Sequence, residues 1–326
     1  MSSILESSKN KVYKYFLERS LVFLRELEEK GFIIKTPIDK KRYGKSESDN
    51  SFSFNKLENS ELKTLEKIFG SMNKKKATKG QGQERKRILT MHSSALLALL
   101  FFNSVSDKNP LCIKIDGNQY EFTTVDFEYE NRCLEGMDKS GKKYRSSCID
   151  VKLTDKAKNV VLFLESKFSE YLHNGKQTGI NKEYQVQYGY IFDESNLPED
   201  FAFVDDTEKG TLTLTTRPKE KKCSHYCQGL KQMMCHFIGT MNYKKDNPGE
   251  EVMLGTILLD LSSIDKTSFD KYSKDYSQLS ENLNGLGKGV KMLKEPLTYQ
   301  ELYKEAKEKG FKLSDNVVRY YGLGVK

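Results

Sequence analysis

Alternating apolar and polar positions dominate the chain after Pro110 and predict strands that are buried on one face. In the segment "SSCIDVKLT", Ile149 and Val151 fall on one side while Asp150 and Lys152 fall on the other, which is the two-residue period of a strand. The segment "YEFTTVDFEYE" alternates in the same way, and "NVVLFLESKF" and "EVMLGTILLDL" are the apolar runs typical of fully buried strands. We therefore expect a sheet of several strands in this part of the chain.

Apolar positions at intervals of three and four residues predict helices before and after these strands. A stripe from Tyr15 to Leu27, stopped by Gly31, predicts a helix near the N-terminus, and "HSSALLALLFFNSV" predicts a strongly apolar helix. The segments "SHYCQGLKQMMCHFIGTM" and "TYQELYKEAKEKG" predict two further helices. Helices and strands in this order are typical of an α/β (α+β) fold with a mixed sheet flanked by helices. We expect an N-terminal helical region over residues 1–70 and one α/β domain over residues 71–326.

Composition restricts the class of protein. The chain has 326 residues, of which 37% are hydrophobic and 31% charged, and no window approaches the eighteen or so apolar residues of a membrane span. The first twenty residues carry acids and lysines where an export signal needs an apolar stretch. The six cysteines are scattered, as in proteins whose thiols stay reduced. These features predict a cytoplasmic protein that does not enter a membrane.

Basic residues are clustered in two segments of a chain whose net charge is +8. The stretch "KKKATKGQGQERKR" has seven basic residues against one acid, and "RPKEKK" follows much later. Such runs are often only solvated loops, but two of them beside a strand with catalytic character favour contact with a phosphate backbone. The residues predicted to bind nucleic acid are Lys74, Lys75, Lys76, Lys79, Arg85, Lys86, Arg87, Arg217, Lys221 and Lys222.

The strand "NVVLFLESKF" turns polar abruptly after Leu164. Because side chains alternate along a strand, Glu165 and Lys167 share one face and Ser166 points to the other. The polar segment "TDKAKN" is a plausible hairpin connection to the preceding strand. If the connection holds an even number of residues, such as 155–158, Asp150 lies across from Phe163 or Glu165 and on the face of Glu165 and Lys167. Two carboxylates and one ammonium group then converge at the edge of a buried sheet.

This combination suits metal-assisted hydrolysis of a phosphodiester. Two carboxylates can hold Mg²⁺, which takes its remaining ligands from water and substrate phosphate. The metal polarises the phosphoryl oxygen and lowers the pKa of a bound water, and a nearby lysine orients that water or stabilises charge on the phosphate. The alternative interpretation of Glu165 and Lys167 is a surface ion pair at the end of a strand.

The order of these residues resembles a known superfamily. Asp150 followed by Glu165, Ser166 and Lys167 after an apolar strand is similar to the D…(D/E)-x-K core of the PD-(D/E)XK, or restriction endonuclease-like, nucleases, with Ile149 where the motif often has proline. The segment "GQGQERKRILTMHSSALLALLFFN" is similar to the G-x-G-x-E…HSS-A-L…N block of a group of bacterial restriction endonuclease-like proteins, and "ESKFSE" to their E-x-K-F-x-E segment. The resemblance covers roughly residues 80–240.

The resemblance implies a sheet that carries Asp150, Glu165 and Lys167 and is flanked by helices. It also implies a further metal-binding glutamate from an earlier element. Glu128 and Glu130 are candidates that the sequence does not separate, and Glu135 is a weaker candidate. The helix that begins near residue 224 sits where this superfamily often places a glutamine or tyrosine facing the site, and Gln228 is the candidate, with Gln232 one turn further on. Glu170 is either part of the rim of the site or an ordinary surface acid.

Cys223, Cys227 and Cys235, with His225 and His236 close by, raise the alternative of a structural metal site. Their C-x3-C-x7-C spacing has no evident fourth partner and does not match the usual zinc patterns. We therefore expect buried thiols at these positions.

Taken with the charge clusters, the resemblance implies a nuclease that hydrolyses the phosphodiester bonds of DNA, a restriction-type endonuclease with Mg²⁺, or Mn²⁺ in its place, as cofactor. Asp150, Glu165, Lys167 and Gln228 are its predicted catalytic residues, and Asp150 and Glu165, with Glu128 or Glu130, its metal ligands. Its expected partner is duplex DNA, on which such enzymes often act as homodimers. The alternative is a non-catalytic nucleic-acid-binding or scaffold protein that keeps the nuclease fold.

Overall fold

The structure is a computed structural model that describes residues 34–35, 53–54, 94–137, 141, 144, 146–172, 179–206, 211–216 and 225–324. Its strands, in chain order, are β1 (Ile34–Lys35), β2 (Ser53–Phe54), β3 (Leu111–Ile115), β4 (Asn118–Phe122), β5 (Thr124–Asn131), β6 (Ser147–Asp155), β7 (Val160–Lys167), β8 (Ile180–Asn181), β9 (Phe201–Asp206), β10 (Thr211–Thr216), β11 (Glu251–Leu258), β12 (Val290–Met292) and β13 (Leu297–Thr298). Its helices are α1 (Ser94–Phe102), α2 (Glu183–Tyr188), α3 (His225–Asp246), α4 (Lys266–Gly285), α5 (Tyr299–Glu308) and α6 (Asp315–Tyr321).

A mixed sheet of six strands forms the centre of the described part. Its strands follow the order β12-β11-β7-β6-β5, and β13 also pairs with β11. The pairs β5–β6 and β6–β7 are antiparallel, whereas β11 runs parallel to β7 and β12 and β13 run parallel to β11. Smaller antiparallel sheets are formed by β3–β4, by β8, β10 and β9, and by β1–β2. The predicted α/β class with a mixed sheet is therefore confirmed.

The β6–β7 hairpin forms as its alternation predicts. Residues 156–159 connect the two strands, and the carboxylate of Asp155 accepts the backbone N–H of Lys158 at 3.0 Å to close the turn. The register pairs Asp155 with Val160 and Val151 with Leu164, so its continuation sets Asp150 opposite Glu165. A connection with an even number of residues was the condition for this register.

Helices cover both faces of the central sheet. On one face, α3 packs against β11, β6 and β5, and α4 contacts α3 and β12. On the other face, α1 packs against β6 and β7, and α5 contacts β13. Glu165 and Lys167 face α3, so the position of that helix determines what surrounds them.

The close approach of α3 to the edge of the sheet depends on Gly239. A Cβ atom at this position would lie 2.7 Å from Cβ of Asn131 and 3.2 Å from Sγ of Cys133, closer than side-chain carbons pack. Glycine therefore allows the helix to lie directly against the end of β5, one turn after the residues that contact β7.

Several elements differ from the expectations. The segment "YEFTTVDFEYE" is divided between the end of β4 and the start of β5, with Thr123 between them. Helix α4 was not predicted, because its buried stripe begins with Tyr272 and Tyr276 in a largely polar segment. Strands β9 and β10 were not predicted either.

The predicted N-terminal helical region lies outside the described residues, apart from the short antiparallel pair β1–β2. The division of the chain at residue 70 stays a prediction. Within the described ranges, no helix is long and apolar enough to cross a membrane.

Candidate active site

The end of β7 carries a buried acid and a buried base side by side. Glu165 is 4% exposed and Lys167 is 8% exposed. Nζ of Lys167 donates to Oε1 of Glu165 at 2.7 Å and to Oε1 of Gln232 at 2.9 Å. The pair is therefore enclosed between the sheet and α3, which excludes the alternative of a surface ion pair.

A second donor reaches the other oxygen of Glu165. Nε2 of His236, on α3, lies 3.0 Å from Oε2 of Glu165, and Nδ1 of the same ring lies 2.6 Å from Oγ of Ser147 at the start of β6. His236 is only 3% exposed. The Glu165 carboxylate is thus held through both oxygens by partners from β7 and α3.

Ser166 points to the opposite face of the sheet. Its hydroxyl donates to the carbonyl oxygen of Ser94 at 3.1 Å and lies 2.8 Å from the hydroxyl of Tyr299. The alternation expected of Glu165, Ser166 and Lys167 is therefore present. The polar end of β7 is a continuation of the strand, with each polar side chain satisfied on its own face.

Asp150 contacts the same end of β7 through a hydrogen bond from the backbone. The N–H of Ser166 donates to Oδ2 of Asp150 at 2.7 Å. The Asp150 carboxylate interacts electrostatically with those of Glu165 and Glu128 and with the ammonium group of Lys167. The structure therefore brings together Asp150, Glu165 and Lys167, as their sequence pattern predicted.

Glu128 is the upstream glutamate that lies next to Asp150. The β5–β6 register pairs Phe127 with Val151 and Tyr129 with Ile149, which sets Glu128 opposite Asp150 between them. Its backbone has a φ of 48°, a left-handed conformation that costs a non-glycine residue on the order of 1 kcal/mol. This conformation interrupts the alternation that would place Glu128 and Glu130 on one face.

The other two glutamates are placed differently. Glu130 is exposed and paired with Cys148 in the ladder. Glu135 is exposed, and its backbone N–H donates to Oε1 of Gln187 at 2.9 Å. Among the candidates, the structure therefore brings only Glu128 to Asp150.

The charges of Glu165 and Lys167 stabilise each other. Burial by itself raises the pKa of Glu165, but the charge of Lys167 and the hydrogen bonds from His236 and Lys167 outweigh it and lower that pKa from 4.5 to about 2. Burial likewise lowers the pKa of Lys167, but the carboxylates of Glu165, Glu170 and Asp150 raise it further than burial lowers it. At neutral pH the pair is therefore a carboxylate and an ammonium ion.

Asp150 is in the opposite situation. Burial raises its pKa, and the negative charges of Glu165 and Glu128 raise it further, so that it lies well above the ordinary 3.8. Lys167 and the N–H of Ser166 act in the other direction but do not cancel these effects. The negative charge of Asp150 is therefore incompletely compensated by the residues that the structure describes.

Among the glutamine side chains that the structure describes, Gln232 reaches the site. The sequence favours Gln228, whose side chain lies outside the described part, whereas Oε1 of Gln232 accepts a hydrogen bond from Lys167. Glu170, the second open assignment, accepts the backbone N–H groups of Phe168 at 2.6 Å and Ser169 at 2.9 Å. Glu170 therefore closes the turn after β7 while its charge contributes to the raised pKa of Lys167.

Two residues of this region were not predicted as part of the site. His236 was considered only as a partner of the cysteines, although its spacing of four residues from Gln232 places both on one face of a helix. Tyr272 of α4 is buried, interacts electrostatically with Lys167, and has a hydroxyl without a hydrogen-bond partner among the described residues. Nothing in the sequence around Tyr272 indicated that α4 would reach the site.

The available donors fit Mg²⁺ in their chemistry, since Asp150, Glu165 and Glu128 supply the carboxylate oxygens that it prefers. Within the ranges that the structure describes, no group of three or more His, Cys, Asp or Glu side chains is placed to hold a metal ion by itself. A bound cation would relieve the repulsion that raises the pKa of Asp150. The donor set therefore fits a Mg²⁺ whose coordination is completed by water and substrate phosphate.

The predicted nucleic-acid-binding residues all lie outside the described residues, both in the segment 74–87 and in the segment 217–222. The latter connects the end of β10 to the start of α3. Cys223 and the side chain of Cys227 are likewise not described, whereas Cys112, Cys133 and Cys235 form no disulfide within the described ranges.

No protein-family model matches the chain, and neither a curated protein nor a solved structure matches it.

Proposed function

We propose that the protein is a Mg²⁺-dependent nuclease that hydrolyses phosphodiester bonds of DNA, with Mn²⁺ able to replace Mg²⁺. The observation that carries the proposal is the convergence of Asp150, Glu165 and Lys167 where β6 begins and β7 ends, inside a mixed sheet with helices on both faces. These are the residues that the resemblance to PD-(D/E)XK nucleases implies. A restriction endonuclease-like core is part of the proposal.

Asp150 and Glu165 are the proposed metal ligands, with Glu128 as the third. A bound Mg²⁺ would polarise the phosphoryl oxygen and lower the pKa of a bound water. The raised pKa of Asp150 and the left-handed backbone of Glu128 are both unfavourable features concentrated at one place. Such features are typical of residues retained for binding or catalysis and not for stability.

Lys167 acts in this proposal as a hydrogen-bond donor and not as a general base. Its raised pKa keeps it protonated at neutral pH, so it cannot accept a proton from water. Of its three N–H donors, Glu165 and Gln232 take two, which leaves one for a water or a phosphate oxygen. Such a donor stabilises charge that develops on the phosphate during the reaction.

The substrate is proposed to be duplex DNA, cleaved by a restriction-type endonuclease that acts as a homodimer. The support comes from the two basic segments, because lysines and arginines bind the phosphate backbone independently of sequence. The residues proposed to contact DNA are those named above in segments 74–87 and 217–222.

The test is cleavage of plasmid and genomic DNA with Mg²⁺ or Mn²⁺, the mixture serving to cover a sequence-specific enzyme. We expect cleavage by the native protein and its loss in Lys167→Ala and Glu165→Ala. Lys152→Ala is a matched control, because this lysine lies on the same hairpin but over the rings of Tyr129 and Tyr243, at 4.4 and 4.9 Å. Cleavage that survives unchanged in both site variants contradicts the assignment of the site.

A second candidate function is a nucleic-acid-binding or scaffold protein that keeps the fold without catalysis. The observation in its favour is that both oxygens of Glu165 already accept hydrogen bonds, from Lys167 and His236, so the buried pair is complete without a metal. This alternative predicts retained DNA binding with neither cleavage nor Mn²⁺ binding. Calorimetric titration of the native protein with Mn²⁺ distinguishes the two functions.

A further inference from the structure

The hydrogen-bonded row from Ser147 through His236 to Glu165 crosses from β6 to α3 and on to β7. We propose that His236, anchored by Ser147, is a positioning residue that fixes the Glu165 carboxylate in the orientation in which it binds the metal. This inference rests on the proposed function and assigns a role within it to two residues that neither the sequence motif nor the metal ligand set includes.

The protons in this row can be assigned from chemistry. Glu165 is a carboxylate at neutral pH and only accepts hydrogen bonds. Nε2 of His236, 3.0 Å from Oε2 of Glu165, therefore carries a proton and donates it. In a neutral ring Nδ1 is then the acceptor, so the Ser147 hydroxyl donates to it across 2.6 Å. Ser147 thus selects the tautomer that Glu165 requires.

Lys167 alone would leave the orientation of Glu165 undetermined. One donor on Oε1 allows the carboxylate plane to rotate about the Cγ–Cδ bond, whose torsional preference is broad. A second donor on Oε2, from a different element, removes that freedom. The lone pairs that remain on the two oxygens then point in fixed directions, as metal coordination requires.

The ring of His236 is itself held in place from several sides. Its side chain is 4% exposed, and the Thr240 hydroxyl donates to its backbone carbonyl at 3.0 Å. Gly239 lets this part of α3 lie against Asn131 on β5. His236 therefore has a rigid frame, which is what a residue that orients a ligand needs.

The experiment measures Mn²⁺ affinity by calorimetry on the full chain, together with kcat and KM for DNA cleavage. We expect His236→Ala to weaken Mn²⁺ binding about tenfold and to lower kcat to a similar extent, because residues that orient metal ligands contribute about 10- to 100-fold. KM for DNA should not change. His236→Gln, which keeps an N–H donor at similar reach, should recover most of both losses, and Ser147→Ala should show a smaller loss than His236→Ala.

The outcomes separate this inference from the function on which it rests. If the native protein binds Mn²⁺ in a manner that Asp150→Asn abolishes, but His236→Ala and His236→Gln bind it equally well, the positioning role is wrong and the metal site stands. If the native protein binds no Mn²⁺, both proposals are wrong. If His236→Ala does not fold, Ser147→Ala carries the test, because Ser147 is only half-buried, and native affinity and kcat in that variant contradict the role of the row.

Discussion

At the end of β7, Glu165 accepts hydrogen bonds from Lys167 and His236, and its pKa is lowered to about 2. One strand away on β6, Asp150 accepts the backbone N–H of Ser166, and burial together with the charges of Glu165 and Glu128 raises its pKa well above 3.8. The two carboxylates lie opposite each other in one hairpin, yet the pKa of one is lowered and the pKa of the other is raised. Within the described ranges, positive charge compensates Glu165 fully and Asp150 only in part.

Under the proposed function, this difference separates the carboxylate that is compensated within the described fold from the one that would be compensated by a bound metal ion. A buried charge that is paired and hydrogen-bonded is stable by itself, whereas an uncompensated one lowers the stability of the fold. Groups left in that state are concentrated where a protein binds or reacts. A cation bound beside Asp150 would compensate the charge of that carboxylate, as Lys167 compensates the charge of Glu165.

The largest effect on stability and cleavage is expected from removing the ammonium group of Lys167, which compensates Glu165. Lys167→Met leaves the buried charge of Glu165 with His236 alone, so we expect the free energy of unfolding in urea to fall by about 3 kcal/mol and cleavage to fall by at least about a hundredfold. The double variant Lys167→Met with Glu165→Gln should recover part of the stability but none of the cleavage, because position 165 then carries no unpaired buried charge. A single variant as stable as the native protein would contradict the compensation of Glu165 by Lys167.

Acid titration should reveal the same compensation at Glu165. Because its pKa is lowered from 4.5 to about 2, its contribution is fully present above pH 4.5 and is lost as the pH falls towards about 2. At about 1.4 kcal/mol for each unit of pKa, the contribution is about 3 kcal/mol. Urea unfolding from about pH 6 to about pH 3 should therefore show a steeper loss for the native protein than for Glu165→Gln. If the free energy of unfolding fell equally with pH in both proteins, Glu165 would not be the group that causes the loss of stability in acid.

Asp150→Asn should have the opposite sign. Because the pKa of Asp150 is raised in the folded state, its protonated form stabilises the fold at low pH, and this stability is lost as the pH rises through the raised pKa. Above that pKa the charged form disfavours folding. Asparagine keeps an acceptor for the N–H of Ser166 and removes the charge, so we expect stability to rise by on the order of 1 kcal/mol while cleavage is lost. Glu165→Gln is the matched variant and should lower stability. If both substitutions changed the free energy of unfolding equally, the proposed difference in charge compensation between Asp150 and Glu165 would be wrong.

The smallest effect concerns two buried tyrosines that differ in the same way. The Tyr171 hydroxyl donates to the Leu259 carbonyl at 2.6 Å and accepts the N–H of Leu261 at 3.3 Å, whereas that of Tyr272 has no partner among the described residues. Tyr171→Phe should lower the free energy of unfolding by about 1 kcal/mol, and Tyr272→Phe should leave that free energy unchanged or raise it slightly. Loss of cleavage in Tyr272→Phe without loss of stability would instead assign its hydroxyl to the site.

The hairpin that carries the site could be predicted because its determinants are local. The alternation of Ile149 and Val151 with Asp150, and the even length of the turn, fix which side chains face each other. The opposite directions of Glu165 and Ser166 follow from the strand alone. The α/β class followed from the order of the elements, whereas a restriction endonuclease-like core stays a prediction.

The residues that surround the hairpin could not be predicted because they depend on packing between distant elements. That Gln232 reaches Lys167 depends on the rotation of α3 about its axis, and α3 packs closely against β5 at Gly239. His236 meets Glu165 only because that rotation also turns its ring inward. The choice between Glu128 and Glu130 depends on the left-handed φ of Glu128, which the alternation of "VDFEYE" does not indicate.

The change of strand direction at β7 has a consequence for how the chain folds. Its antiparallel partner β6 is joined to it by a four-residue turn at 156–159, whereas its parallel partner β11 starts at Glu251, after a long stretch of intervening chain. Local pairs close quickly and distant ones slowly, because loop closure costs entropy. We expect pulse-labelled hydrogen exchange to show early protection of β6 and β7 and later protection of β11. The acidic and basic groups of the site would then meet early in folding, and the helix that completes their surroundings would arrive late.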